Sequence, residues 1–408
     1  MEPFSPSTPG YQERLYEIYR EYRERDPVHW CPQPDPGVWY VFNYADASFV
    51  LKDPRFVHEY TSVYPESAAQ GSDQPGAPPD PPATFWQMAS QWMLFRDPPD
   101  HTRLRRLVNK AFVPRVVEGL SGRIEEIARE LLRPALQEGG MDLITEYAFP
   151  LPVIVIAELL GVPAADRWKF RAWSGAMVAA MDEYIDEAVA ERASAATGEI
   201  WEYLKHIIRE RRRDLGDDLL SALIRARDSG DRLSEQELVA MAVLLLVAGH
   251  ETTVNLIGNG TYALLQHPDQ LALLRREPQR APHAVEELLR YDAPVQMTSR
   301  LAAVDVPLGE KLIRRGQQVR VMIGAANRDP QVNPFPDRLD IAREAVHHLG
   351  FGGGIHYCLG APLARREAQI ALTTLLEQAP RLRLQGEAPQ YRRGVVFRGL
   401  QSLPVALA

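Results

Sequence analysis

Cysteine is scarce in this chain, because only Cys31 and Cys358 occur among its 408 residues. Two thiols so far apart argue against a disulfide framework and favour a reducing compartment. They also fall short of the four thiolates that an iron–sulfur cluster usually takes. We therefore expect neither a disulfide scaffold nor such a cluster.

Long apolar runs and an excess of positive charge are missing as well. The longest apolar stretch covers residues 238–249, whereas a membrane-spanning helix needs about 20 apolar residues. The polar N-terminus has no basic start followed by an apolar core, so we expect neither a signal peptide nor a membrane anchor. A net charge of −8 argues against a nucleic-acid binder. We expect a soluble, cytoplasmic protein with no nucleic-acid or membrane partner.

Helical periodicity dominates the sequence, and we expect residues 1–408 to form a single domain. The pattern predicts β-rich segments at 38–60 and 301–323. It predicts the helical bulk at 100–300 and 361–377. The expected fold class is therefore mainly α with small β-sheets.

The clearest helix start in the chain is the segment LSEQEL. Ser234 and Glu237 form a capping box, and Leu233 and Leu238 are placed as a hydrophobic staple. The next proline is Pro268, which predicts one helix about 48 Å long at 1.5 Å per residue. Its first half is apolar nearly all round, so we expect it to cross the protein core.

Cys358 lies in the glycine-rich stretch HHLGFGGGIHYCLG, for which the residues alone leave several interpretations open. One is a buried structural thiol. Another is zinc, but the spacing fits none of the common paired patterns. The zinc ligands would be Cys358, His347, His348 and His356. A dinucleotide loop lacks its third glycine, because Ile355 stands there. A nucleophilic cysteine with a distant histidine also fits.

An axial thiolate ligand to haem iron explains more of these residues. Glycines at 352, 353, 354 and 360 remove side chains that would collide with a flat macrocycle. Backbone N–H groups in such a loop can point at the sulfur and stabilise the thiolate. The helix predicted just after Cys358 places its positive end near the same anion.

The stretch FGGGIHYCLG resembles the haem-binding signature of the cytochrome P450 family, at Phe351, Gly354, Cys358 and Gly360. The further family motifs HTRLR, AGHETT and EELLR occur in the expected order. The resemblance covers essentially the whole chain. It implies the cytochrome P450 fold, with haem b between the long central helix and the cysteine loop and Cys358 as the iron ligand.

The motif AGHETT, residues 248–253, falls in the middle of the long helix. An acid and two hydroxyls are costly to bury there without a purpose. The resemblance implies that Ala248 and Gly249 cross the haem face opposite the cysteine, with Gly249 leaving room for O₂ and substrate. It also implies that Glu251 and Thr252 deliver protons during O₂ activation, which a dry site requires.

In the motif EELLR, Glu287 and Arg290 share one helix face and can pair. The resemblance implies a buried structural pair on the cysteine side of the haem. A further arginine is expected to join it, and we expect Arg338 of FPDRLD, with Arg343 as the fallback. Relatives more often carry phenylalanine at the position of Asn333.

In the motif HTRLR, His101 and Arg105 share a helix face, and Asp100 is the predicted helix cap. The resemblance implies that this pair binds the haem propionates together with Arg300 and His356. Arginine suits that task because it grips a carboxylate with two parallel hydrogen bonds. No matching role is expected for Cys31, which we take as structural.

The implied activity is that of an O₂-dependent monooxygenase, which inserts one oxygen atom into a substrate and reduces the other to water. The chain has no flavin or nicotinamide segment, so its electrons must come from outside. The resemblance to soluble bacterial members of the family implies a separate ferredoxin-type donor with its reductase. We expect the donor to dock on the thiolate side of the haem. The basic candidates for this surface are Arg106, Lys110, Arg365 and Arg366. A peroxide-driven peroxygenase and a catalytically silent haem-binding protein remain alternatives; the Glu251–Thr252 pair argues against the first.

We expect the substrate to be a large, mostly apolar small molecule. Residues 65–82, rich in Pro, Gly, Ser and Ala, predict a loop and a candidate lid. The apolar candidates for the substrate walls are Phe85, Trp86, Met88, Trp92, Met93, Trp173, Met177 and Met181.

Overall fold

The computed structural model describes residues 4–6, 10–64, 82–182, 185–228 and 233–407. The candidate lid therefore lies outside the described residues, apart from Pro82. The helices are Leu15–Arg25 (α1), Tyr44–Lys52 (α2), Tyr60–Val63 (α3), Phe85–Ala89 (α4), Asp100–Val108 (α5), Pro114–Gly119 (α6), Ser121–Glu138 (α7), Pro150–Leu160 (α8), Arg167–Ala180 (α9), Glu187–Arg211 (α10), Leu219–Asp228 (α11), Glu235–Gln266 (α12), Pro268–Arg276 (α13), Ala281–Tyr291 (α14), Ile323–Asn327 (α15) and Ala361–Gln378 (α16). The strands are Val28–Cys31 (β1), Val38–Val41 (β2), Phe56–Val57 (β3), Gly140–Asp142 (β4), Met297–Ala302 (β5), Val306–Leu308 (β6), Lys311–Ile313 (β7), Gln318–Met322 (β8), Arg383–Leu384 (β9) and Pro404–Ala406 (β10).

The chain divides into two compact units, each built from separated stretches of sequence. Unit 1 comprises Met1–Gln74, Asn255–Ala361 and Pro380–Ala406. Unit 2 comprises Pro75–Val254, Pro362–Ala379 and Leu407–Ala408. The prediction of a single domain stays a prediction.

Unit 1 contains a five-stranded sheet in the order β1-β2-β8-β5-β3. Strands β2 and β8 run parallel, and the other neighbouring pairs are antiparallel. Strand β2 is buried on both faces, because Trp39 and Val41 join one apolar cluster while Val38 and Tyr40 join another. Alternate side chains of a strand point to opposite faces, so the sheet separates two cores. The segment predicted as β-rich at 301–323 carries strands β5 to β8, whereas the segment at 38–60 carries only the short strands β2 and β3, with helix α2 between them.

Helix α12 begins as the capping box predicts. The Glu237 N–H donates to Ser234 Oγ at 3.1 Å, and the Ser234 N–H donates to Glu237 Oε2 at 2.8 Å. The helix then runs for 32 residues and ends just before Pro268. Among the described helices it is the one long and apolar enough to cross a membrane, but 83% of its most apolar window is buried, as in the core helix of a soluble protein.

Unit 2 is mostly helical and includes helices α4 to α11. Helix α5 carries the HTRLR motif, but the predicted cap at Asp100 is wrong. Asp100 is the first residue of the helix, and its carboxylate pairs with Arg96 and Arg103 at 2.6 Å and 2.9 Å. The acid therefore fixes two neighbouring arginines instead of closing the helix end.

Candidate functional site

Backbone hydrogen bonds hold the cysteine loop of unit 1 in shape. The Cys358 N–H donates to the Phe351 carbonyl at 2.9 Å, which closes the loop across its base. Residues Gly354–His356 form a short turn inside it, and helix α16 begins at Ala361. Cys358 is half-buried, in contrast to Cys31, which is buried. The loop thus presents one thiol, beside the N-terminal end of a helix that favours its anionic form.

The structure requires glycine in this loop for more than one reason. Gly352 and Gly354 have φ of +71° and +63°, a conformation that favours glycine. A Cβ on Gly354 would lie 2.5 Å from the carbonyl oxygen of Leu51 in α2. Turn geometry and packing against α2 therefore explain these two positions. Of the four glycines expected to make room for a macrocycle, Gly360 is the one whose Cβ would meet no described atom within 4 Å.

The histidines near Cys358 do not form a zinc site with it. His348 Nε2 lies 3.0 Å from Glu286 Oε2, and the His347 ring packs edge-on against Tyr44. Within the described parts of the chain, no three His, Cys, Asp or Glu side chains are grouped as metal ligands would be. The zinc interpretation therefore has no support.

Unit 1 also holds the predicted propionate ligands Arg300 and His356. Arg300 is buried, and its Nη1 donates to the Ser299 carbonyl at 2.7 Å and to Thr298 Oγ1 at 3.3 Å. His356 is half-buried, and its ring packs edge-on against the ring of His58, with centroids 4.4 Å apart. Sequence reasoning missed His58, since no motif marks it.

The ion-pair set predicted in unit 1 forms, with one correction. Arg290 binds Glu287 through two parallel hydrogen bonds of 2.7 Å and 2.8 Å, and both side chains are fully buried. Arg343 Nε reaches Glu287 Oε2 at 3.1 Å. The prediction of Arg338 is wrong, because its side chain is exposed and only its carbonyl takes part, as an acceptor from Arg290 at 3.0 Å.

Asn333 is accommodated in the interior of unit 1 by three hydrogen bonds of its side-chain amide. Its side chain is fully buried and donates to the carbonyls of Asn327 and His347 at 3.1 Å and 2.8 Å. Its Oδ1 accepts the His347 N–H at 3.1 Å. The amide therefore ties together the irregular segment that follows α15.

In unit 2, the middle of α12 presents one face to open space. Ala248 is exposed and Thr252 is half-buried, although their helix neighbours Val247, His250 and Glu251 are buried. Ala248 and Thr252 are one turn apart, so they share this face. The Thr252 hydroxyl donates to the Ala248 carbonyl over a long 3.4 Å. The face thus offers a weakly held hydroxyl beside a buried acid.

Gly249 serves packing in this structure. A Cβ at this position would lie 2.9 Å from Cγ1 of Ile156 in α8. The expectation that Gly249 leaves room for O₂ and substrate stays a prediction. The glycine lets α8 approach α12, and the open face of α12 lies at Ala248 and Thr252.

His101 and Arg105 lie one turn apart on α5, as predicted. His101 is buried, and burial lowers its pKa; the charge of nearby Arg105 lowers the pKa further, while Asp97 partly opposes both. Its imidazole is therefore neutral at pH 7 and can donate one N–H. Arg105 is half-buried and carries the positive charge of the pair.

Two buried polar side chains beside the AGHETT segment escaped sequence reasoning. His250 lies inside the motif; its Nδ1 meets the Leu246 carbonyl at 2.6 Å and its Nε2 meets Ser174 Oγ of α9 at 2.9 Å. Glu367 of α16 is fully buried, and burial raises its pKa well above the usual range, with a smaller opposing effect from Thr253. The sequence offered one signal for His250, its place inside the AGHETT motif, and none for Glu367.

The substrate-wall and docking candidates are mostly engaged in packing or pairing. Trp86 is 49% exposed and Met181 is half-buried, while the other six wall candidates are buried. Arg106 and Lys110 are exposed, whereas Arg366 binds Ser121 and Glu118. The wall and docking assignments stay predictions.

Similarity to known proteins covers nearly the whole chain. The cytochrome P450 family model matches residues 169–379. The vitamin D(3) 25-hydroxylase of Pseudonocardia autotrophica is 44% identical over 95% of this chain and 93% of its own length. The 6-deoxyerythronolide B hydroxylase of Saccharopolyspora erythraea is 42% identical over 96% of each chain.

Solved structures of cytochromes P450 also resemble this chain. The crystal structure of P450BioI, in complex with an acyl carrier protein ligated to hexadec-9Z-enoic acid, superposes with a TM-score of 0.88. The two chains are 38% identical over 98% of this chain and all of that one. The fold of this protein is therefore the cytochrome P450 fold. The chain belongs to the cytochrome P450 family of haem-binding oxidoreductases and is a monooxygenase.

Proposed function

We propose that this monooxygenase binds haem b through the Cys358 thiolate. It oxidises a large, mostly apolar small molecule, with electrons from a separate ferredoxin-type protein and its reductase. The observation that carries the proposal is the half-buried Cys358 in a loop closed by its own N–H. The proposal includes a cytoplasmic location, where both cysteines stay reduced.

Four basic side chains are proposed to bind the haem propionates. They are Arg300, His356, His101 and Arg105, as the family resemblance implies. The buried guanidinium of Arg300 suits a carboxylate because a charge-assisted hydrogen bond is about twice as strong as a neutral one. His101, which is also buried, adds an imidazole N–H donor.

When bound, haem with a thiolate ligand would supply the activation of O₂ and the insertion of one of its oxygen atoms into the substrate. The chain's own task is to move protons within a site that excludes bulk water. We assign this task to Thr252 Oγ1, whose 3.4 Å bond to the Ala248 carbonyl is long enough to exchange. Glu251, buried on the same helix, resupplies the hydroxyl with protons.

Replacing Thr252 by alanine tests this assignment. We expect the Thr252→Ala enzyme, supplied with donor protein, reductase and a bound substrate, to form at least about tenfold less product per electron pair, because the proton donor is lost. Thr261→Ala removes another buried hydroxyl of the same helix and serves as the control. Equal coupling in both variants would contradict the assignment. Turnover with peroxide alone at the full rate would favour the peroxygenase alternative.

The substrate class rests on the names of the relatives. A hydroxylase for vitamin D(3), one for 6-deoxyerythronolide B and a structure with a bound fatty acyl chain all point to large apolar molecules. Spectral titration of the loaded protein with secosteroids, macrolactones and long-chain fatty acids tests this. We expect one class to shift the haem spectrum at micromolar concentration. A response to small polar compounds alone would contradict the proposed class.

A further inference from the structure

A third basic side chain joins Arg300 and His356 in unit 1. Strands β3 and β5 are antiparallel, with Phe56 opposite Ala302 and Val57 opposite Leu301. Continuing this register by one residue places His58 opposite Arg300. The rings of His58 and His356 are in contact, at 4.4 Å between centroids and 70° between planes. His58, Arg300 and His356 therefore gather from three separate elements of one unit.

Such a grouping is suited to an anion. Guanidinium and imidazole groups offer N–H donors, and a carboxylate can accept several such hydrogen bonds at once. Arg300 Nη1 already has two acceptors, the Ser299 carbonyl and Thr298 Oγ1, which fix the guanidinium on its strand. A guanidinium has five N–H donors and can therefore bond several acceptors at once.

We propose that His58 is a carboxylate-binding residue, which donates an imidazole N–H to the same haem propionate as Arg300 and His356. This inference rests on the proposed haem function and adds a residue that none of the family motifs contains. A purely structural role for His58 would be ring packing against His356. The two roles differ in one respect, because packing does not depend on the porphyrin's carboxylates.

The test measures haem release to excess apomyoglobin from the full-length holoprotein. Two porphyrins are compared, iron protoporphyrin IX and its dimethyl ester, which lacks free carboxylates. We expect His58→Phe to release protoporphyrin about tenfold faster than the wild type, because one hydrogen bond to a charged group is lost. We expect the same variant to release the ester at the wild-type rate. His58→Gln, which keeps an N–H donor, should stay within about threefold of wild type for both.

His347→Phe is the matched control, since His347 is an exposed, ring-paired histidine of the same unit. If the phenylalanine variant does not accumulate, His58→Leu replaces it. Wild-type release of protoporphyrin from His58→Phe, or an equal acceleration for both porphyrins, would overturn the inference while leaving the proposed function intact. A wild-type protein that takes up no haem would overturn both.

Discussion

Two fully buried glutamates show how differently one residue type can be accommodated. Glu287 in unit 1 is held by the guanidinium groups of Arg290 and Arg343 and by the Asp340 N–H at 2.9 Å. Glu367 in unit 2 has no hydrogen bond of good geometry among the described residues, and its pKa is raised well above the usual range by burial. The first lies among ionic partners, whereas burial favours the neutral form of the second.

Glu367→Gln tests the neutral state of that acid. In the unfolded chain the carboxyl ionises above about pH 4.3, whereas in the folded protein its raised pKa keeps it protonated to higher pH, so folding stability is lost as the pH rises. The amide removes this penalty. We expect the variant to melt about 2 °C or more above the wild type at pH 8, with the gap closing towards pH 4.

Glu377→Gln is the control, because Glu377 lies on the same helix but is exposed and paired with Arg129. It should change the melting temperature little at either pH. If Glu367→Gln were less stable than the wild type at pH 8, the carboxylate would have to be ionised and bound in the folded state.

Arg343 and Arg338 make a second test at the scale of single residues. Arg343→Ala removes a hydrogen bond to a buried carboxylate, so it should lower the free energy of unfolding by about 2 kcal/mol. Arg338→Ala trims an exposed side chain and leaves its carbonyl in place, so the change should stay within about 0.5 kcal/mol. Urea unfolding of the two variants measures both changes. A larger loss of stability in Arg338→Ala than in Arg343→Ala would restore Arg338 as the third member of the ion-pair set.

At the scale of elements, the packing of α8 against α12 depends on Gly249. Glycine in a helix interior costs about 1 kcal/mol relative to alanine. Here the added methyl group would collide with Ile156. We therefore expect Gly249→Ala to destabilise the wild type by about 1 kcal/mol, because overpacking outweighs the gain in helix propensity.

The sign of the effect should reverse when Ile156 is shortened. In an Ile156→Ala background, Gly249→Ala should raise the free energy of unfolding by about 1 kcal/mol. Urea unfolding of the four proteins completes the cycle. A destabilising Gly249→Ala in both backgrounds would mean that some group other than Ile156 requires the glycine.

Elements with local signals were predictable from the sequence, and those that depend on distant partners were not. Both ends of α12 are marked by residues that are close to them in sequence. Ser234 and Glu237 mark the start, and Pro268 follows the end. The choice between Arg338 and Arg343 depends on the path of an irregular segment, which carries no periodic pattern. A side chain on Gly354 would collide with the backbone of Leu51, and one on Gly249 would collide with the side chain of Ile156. Such packing partners are distant in sequence, so spacing alone could not reveal them.

At the scale of the whole molecule, the site residues are divided between two compact units. Unit 1 contributes the cysteine loop, Arg300 and His356, while unit 2 contributes His101, Arg105 and the open face of α12. The family motifs made these residues predictable from the sequence. Residues that bind one cofactor are constrained together even where they are far apart in the chain.

The central claim is that Cys358 is the thiolate ligand of haem iron. The most direct measurement is the absorption spectrum of the reduced, CO-bound protein. We predict that the wild type absorbs near the wavelength typical of thiolate-ligated haem and that Cys358→Ala abolishes this band, whereas Cys31→Ala, which changes a buried cysteine of unit 1, keeps it. A colourless wild type, or an unchanged band in Cys358→Ala, would contradict the account.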